Sequence, residues 1–312
     1  MATLFMARAS RIQRSLRNVP ALLHGRRTRG FAAIGAGCVA GLAGASAAQC
    51  DKVPSQGSHD VLDEPWLAAS DRCALWQRGW DADWDGRAPP KDGPKVKTSG
   101  RVRHLLFIRH GQYHTNDEEN GLTTLGRLQA KLLGERLRGM SGKVQKDLNH
   151  EIPINFEGIW SSDVLRARQT AEILSELLPD IPLQDADPAL AEGKPATSHP
   201  TSKPASRSAD LWEDSARIEY AFRKYVHRDV DHKRLARKAS SEPEHVYEII
   251  VCHGNVIRYF VMRALQLPPE AWLRLGGFNT GITEIVVRPS GSVSLVTMGD
   301  VGHLPVDMVT FH

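Results

Sequence analysis

The chain has 312 residues, long enough for one or two domains with a sizeable core, and a formal net charge of +4. Seven arginines (Arg8, Arg11, Arg14, Arg17, Arg26, Arg27 and Arg29) and no acid precede Asp51; without them 33 basic residues face 36 acidic ones, so the positive excess lies in the leader and argues against a nucleic-acid-binding face. The cysteines at 38, 50, 73 and 252 show no CxxC spacing, which argues against a disulfide framework or a zinc site.

Residues 1–29 are rich in Arg and Ser, and Arg8, Arg11, Arg14 and Arg17 recur every three residues. That is the pattern of a mitochondrial targeting segment. Phe31 to Gln49 carries no charge, and residues 30–50 have about the length of one membrane span. Gly37 and Gly41 would let two such helices approach closely. The expectation is a retained single-pass anchor; the alternative is a leader that is removed. Residues 51–100 read as a linker, broken by Pro54, Pro65, Pro89, Pro90 and Pro94. Within it, Trp80-Asp81-Ala82-Asp83-Trp84-Asp85 is dense in indole and carboxylate. Two tryptophans are costly to leave in water, so they either tuck onto their own domain or dock on a neighbouring chain.

From residue 101 to 312 strands alternate with helices. The spacing predicts a strand over Val102–Ile108, an amphipathic helix over Thr123–Arg138 and a short strand at Gly158–Trp160. It then predicts a helix over Asp163–Leu178, with Asp163 as N-cap, and a helix over Asp210–His227. The strand Val246–Cys252 and the helix Asn255–Gln266 follow. A hairpin around Pro289-Ser290-Gly291 joins Ile282–Arg288 to Ser292–Met298. This order implies an α/β three-layer sandwich around a mostly parallel sheet.

The chemistry sits where apolar strands end. Leu105–Ile108 runs into Arg109-His110-Gly111, and Val251-Cys252 runs into His253-Gly254. Parallel strands that both end in His present two rings at the carboxyl edge of a sheet, where open α/β sheets bind ligands. Arg166 lies in the first turn of a helix at the same edge, and its planar fork suits a phosphate. Arg168, two positions on, faces elsewhere and reads as a surface charge. Glu192, placed after a short strand, is a plausible proton donor. Two histidines, two arginines and a glutamate fit phosphoryl transfer through a histidine nucleophile, with no metal or other cofactor. The competing reading, a metal held by His110 and His253, is disfavoured by the neighbouring arginines, which would repel a cation.

These residues resemble the histidine phosphatase superfamily, whose signature is the Arg-His-Gly strand end. The resemblance implies a phosphoglycerate mutase-like fold, with His110, Glu192 and His253 as the catalytic set. It implies phosphate binding by Arg109, Arg166 and, at a position that often helps in the pocket, Asn116. His110-Gly111-Gln112-Tyr113-His114, Leu122–Arg127, Ala216–Glu219, Val256–Tyr259 and Met298–Asp300 narrow the likeness to the superfamily's mitochondrial, membrane-anchored protein serine/threonine phosphatases. By that likeness Trp80, Asp81, Trp84 and Asp85 form an oligomerisation motif, with Asp83 where Asn is usual. The implied protein hydrolyses phosphoproteins, and phosphohistidine proteins are a second substrate class. The rivals are a small-molecule phosphatase or mutase of the same fold, and an assembly scaffold at the mitochondrial membrane.

Overall fold

The computed structural model describes residues 79–88, 100–116, 119–147, 150–200, 208–229 and 244–311. The expected targeting segment at 1–29, the expected span at 30–50 and most of the linker lie outside the described residues. Among the described residues no helix is long and apolar enough to cross a membrane.

The described elements run in the order β1 (Val102–Arg109), α1 (Thr124–Met140), β2 (Val144–Asp147), β3 (His150–Pro153), β4 (Phe156–Ser161), α2 (Leu165–Leu177), α3 (Ser208–Tyr225), β5 (His245–Cys252), α4 (Gly254–Ala264), β6 (Ile282–Val287) and β7 (Val293–Asp300). Five strands form one sheet in the order β4-β5-β1-β6-β7. β4, β5 and β1 are parallel, while β6 runs against both β1 and β7. Only β6 therefore opposes the common direction, and the sheet is mixed but mostly parallel. β1 sits at its centre and is buried on both faces, as its unbroken apolar run requires.

The alternation of strand side chains divides the core in two. Leu106 and Ile108 meet Leu133 and Leu137 of α1 and Ala171 and Leu174 of α2. Leu105 and Phe107 meet Ile218 and Phe222 of α3 and Val256 and Phe260 of α4. Helices thus cover both faces, giving the three layers expected.

Three local readings change. The pair β2–β3 is an antiparallel ribbon that the sequence pattern did not show, because Val144–Asp147 and His150–Pro153 lack an apolar alternation. The short strand at Gly158–Trp160 extends to Phe156–Ser161, since Phe156 and Ser161 also pair with β5. Asp163 is not the N-cap of α2. The cap position is Val164, whose N–H donates to Ser162 Oγ at 3.2 Å, while Asp163 stays exposed.

The Trp-Asp segment docks on the chain's own domain. Trp84 Nε1 donates to Gly291 O at 2.8 Å, and its ring lies 6.2 Å from that of Phe222. Asp85 pairs with Arg228 at 2.7 Å, and both side chains are almost wholly buried. Arg228 Nη2 also donates to Ala82 O, and Gln266 bonds both the N–H and the carbonyl of Asp81. Gly291 has φ +87°, and a Cβ there would sit 2.7 Å from the Arg228 guanidinium. The β6–β7 turn therefore needs glycine for its backbone and for the Arg228 seat. Of the two tryptophans, Trp84 tucks inward and Trp80 keeps 47% of its surface exposed.

Candidate active site

β1 and β5 stand in register with Arg109 opposite Cys252, so His110 and His253 leave the sheet side by side. Their ring centroids are 5.1 Å apart. Both are buried, at 1% and 0% exposure. His110 Nδ1 lies 2.8 Å from Gly111 O. A carbonyl only accepts, so Nδ1 carries the proton and Nε2 presents its lone pair. Arg166 Nε donates to that Nε2 at 3.0 Å. His253 Nε2 and Ser162 Oγ are 2.9 Å apart, and His253 Nδ1 is buried with no hydrogen-bond partner.

Burial holds both imidazoles well below their ordinary value, and neighbouring positive charge adds to it. For His110 that charge is first Arg166 and then Arg109; for His253 any charge on the neighbouring His110 ring would count first, and the standing cations are Arg166 and then Arg109. The result is a neutral nucleophile-type nitrogen among fixed cations.

The cations are brought in by separate elements. Arg109 ends β1, and its Nη1 is held by Gly277 O at 2.9 Å while its buried Nε has no partner. Gly254 opens α4 against it: a Cβ there would stand 3.5 Å from Arg109 Nε. Arg166 occupies the first turn of α2 and lies over the Tyr113 ring at 4.5 Å. Tyr113 also meets the His110 ring edge-on at 5.2 Å. Arg168 is exposed, as expected. Burial is the largest influence lowering Arg109, with Arg258 and Arg166 adding repulsion against the opposing pull of Glu192. Crowded, desolvated cations of this kind are stabilised by an anion.

Glu192 follows not a strand but a 3-10 turn at Pro188–Leu190, which Asp187 caps through the Ala189 N–H. Its Oε1 accepts from Gly193 N at 3.2 Å. Burial raises its pKa; the Gly193 amide, Arg166 and Arg109 pull the other way without prevailing. Arg217 fixes the loop. It donates to the carbonyls of Ala189, Ala191 and Glu192 and pairs with Asp214 at 2.7 Å. Asn255 Nδ2 adds a bond to Gly193 O at 3.1 Å.

The structure therefore gathers His110, His253, Arg109, Arg166 and Glu192 at one edge. Asn116 lies in an exposed turn that follows the nucleophile loop. Arg258, Arg217, Asn255 and Tyr113 were not singled out for roles. Arg258 follows His253 by five positions and influences both Arg109 and Glu192. A helix that opens at an imidazole and carries an Arg in its second turn was the available signal.

The family model described as "Histidine phosphatase superfamily (branch 1)" matches residues 105–300. The chain is 38% identical over 251 residues to the Caenorhabditis elegans serine/threonine-protein phosphatase Pgam5, mitochondrial, covering 74% of this chain and 80% of that one. It is 38% identical over 255 residues to the human serine/threonine-protein phosphatase PGAM5, mitochondrial, with coverage of 74% and 80%. Among solved structures, a Plasmodium falciparum phosphoglycerate mutase is 33% identical, with a TM-score of 0.42 over 68% of this chain and 99% of that one. With the family model spanning most of the chain and these relatives at 38% identity, the chain belongs to the histidine phosphatase superfamily.

Proposed function

We propose that this chain is a mitochondrial protein serine/threonine phosphatase that works through a phosphohistidine intermediate. The observation that carries this reading is the fixed tautomer of His110: its Nδ1–H is held by Gly111 O, and its Nε2 faces Arg166. Nε2 attacks phosphorus and the bond to the serine or threonine oxygen breaks. Arg109, Arg166 and His253 bind the phosphoryl oxygens. Glu192, kept protonated more readily by burial, gives its proton to the leaving oxygen. Water then attacks the phosphohistidine, Glu192 takes its proton, and phosphate leaves. The protein substrate class and the mitochondrial address follow the printed names of the C. elegans and human relatives.

The membrane anchor at residues 30–50 and the oligomerisation motif belong to the same proposal. The half-exposed Trp80 leaves an indole for a second copy. The Trp84 and Asp85 seat, built by Gly291, Phe222 and Arg228, is present on every copy, so a neighbour's segment fits it as well as the chain's own.

The test is hydrolysis of a phosphothreonine peptide by residues 51–312, beside His110→Ala, with and without chelator. Activity that survives chelator and disappears in the variant supports the reading. Activity abolished by chelator sinks the histidine mechanism. Turnover of phosphoglycerate but not of the peptide moves the substrate class to small molecules.

A further inference from the structure

The two peptide units that follow His110, His110–Gly111 and Gly111–Gln112, are held by three side chains. His110 O accepts from Asn279 Nδ2 at 3.0 Å. Gly111 N donates to Thr170 Oγ1 at 3.1 Å, and Gln112 N donates to Gln129 Oε1 at 2.9 Å. Asn279, Thr170 and Gln129 are all fully buried, and they come from three distant parts of the chain.

Two of these side chains meet at one hydroxyl. Thr310 Oγ1 donates to Asn279 Oδ1 at 2.9 Å and accepts from Gln129 Nε2 at 2.9 Å. Gln129 Nε2 also donates to Met308 O, and Asn279 N donates to Thr310 O. Each amide thereby has its orientation fixed, with its carbonyl oxygen towards a donor and its NH2 towards acceptors: one for Asn279 and two for Gln129. Asn279 is followed by Thr280 at φ +56°, a conformation a β-branched residue adopts only under constraint. Thr280 N donates to Arg109 O at 2.9 Å.

We propose that Thr310 is a positioning residue for the phosphoryl-transfer reaction. Through Asn279 and Gln129 its hydroxyl sets the His110–Gln112 backbone, and with it the Gly111 carbonyl that fixes the imidazole tautomer. Thr310 touches no reacting atom. It acts because Gly111 O is the acceptor for His110 Nδ1–H: Gln129 holds the N–H of the peptide unit that carries this carbonyl, and Asn279 holds the unit before it. A rotated Gly111 carbonyl frees Nδ1, and the attacking Nε2 loses its line to phosphorus.

This inference rests on the histidine mechanism but not on the choice of protein substrate, so a small aryl phosphate is the probe. Thr310→Val keeps the shape and removes the hydroxyl. Its kcat is expected to fall ~10-fold, about what one buried hydrogen bond is worth, with KM within ~2-fold of the parent. Thr310→Ser restores the hydroxyl and is expected to recover most of the loss. Asn279→Asp, which turns an acceptor towards His110 O, is expected to lose more. In parallel, nitrogen NMR of His110 is expected to show a single Nδ1–H tautomer in the parent and a mixture in Thr310→Val. An unchanged kcat with an unchanged tautomer in a folded Thr310→Val overturns the proposal, and so does a loss confined to KM. A parent that does not turn over aryl phosphate, while the tautomer still shifts, sinks the phosphatase reading and leaves the positioning role standing.

Discussion

Arg166 donates its Nε–H to His110 Nε2 across 3.0 Å, so one guanidinium proton sits on the lone pair that the proposed reaction needs. A phosphoryl group arriving there draws Arg166 onto its own oxygens and frees the nitrogen. Arg166→Ala is expected to lower kcat/KM by ~10²–10³-fold, the usual loss when one fixed donor to transition-state charge is removed. Arg166→Lys, which lacks the planar fork, is expected to recover little. Steady-state kinetics on an aryl phosphate decide both.

The pH dependence of that pair has a definite sign. His110 is held well below its ordinary value of 6.5, chiefly by burial and next by Arg166. Its imidazole therefore stays neutral as pH falls through 6.5, and the acid limb of kcat/KM is expected below that pH. In Arg166→Ala the limb is expected to move up, because one depressing charge is gone. A limb that stays at 6.5 in the parent would remove the buried-nucleophile argument.

Glu192 gives a leaving-group test. Burial raises its pKa, which favours the protonated form that a departing alkoxide needs. Glu192→Gln is expected to cost ~10²-fold or more on a phosphoserine or phosphothreonine peptide. An aryl phosphate, whose oxygen departs without a proton, is expected to lose far less. Arg217→Ala is expected to show the same selectivity in weaker form, since Arg217 holds the carbonyls around Glu192 rather than the proton itself.

Gly126 opens α1 against the nucleophile loop. A Cβ there would sit 1.9 Å from Gln112 O, a backbone atom with no room to retreat. Gly126→Ala is expected to displace residues 110–112 and reduce kcat at least ~10-fold, while circular dichroism keeps its helical signal. Normal turnover by this variant would show that the loop tolerates displacement.

Stability carries its own pH signature. Burial, with Arg136 behind it, lowers His303 to about 4. Below pH 6.5 the unfolded chain takes up this proton before the folded one does. Stability from this group is therefore complete above pH 6.5 and declines as pH falls towards 4. His303→Gln is expected to flatten the acid side of the midpoint-against-pH curve in urea unfolding.

The buried pair of Asp85 and Arg228 predicts a different loss. Asp85→Ala leaves a desolvated guanidinium, a change that costs about 3–5 kcal/mol when no water reaches the charge. If the segment lifts away instead, the cost falls and Trp84 fluorescence shifts to the red. Urea titration followed by tryptophan emission separates the two.

The sequence by itself determined the centre of this protein. An apolar run buried on both faces can only be an inner strand, and a run that ends in Arg109-His110-Gly111 carries its chemistry to the strand's carboxyl edge. Because His253 ends a second such run, and parallel pairing aligns strand ends, the two imidazoles meet without further information. Arg166 was legible for the same reason, as the first turn after β4. Asn116 rests on resemblance alone, since an exposed turn residue carries no periodic signal. Only the tertiary structure decided that Arg217 braces Glu192, that Trp84 docks on Gly291, and that Asn279, Gln129 and Thr310 converge behind the nucleophile loop. Hydrophobic period reports which way a side chain faces relative to the core, but it carries no signal for a hydrogen bond between polar groups far apart in the chain. Those partners are chosen by where the backbone has already gone.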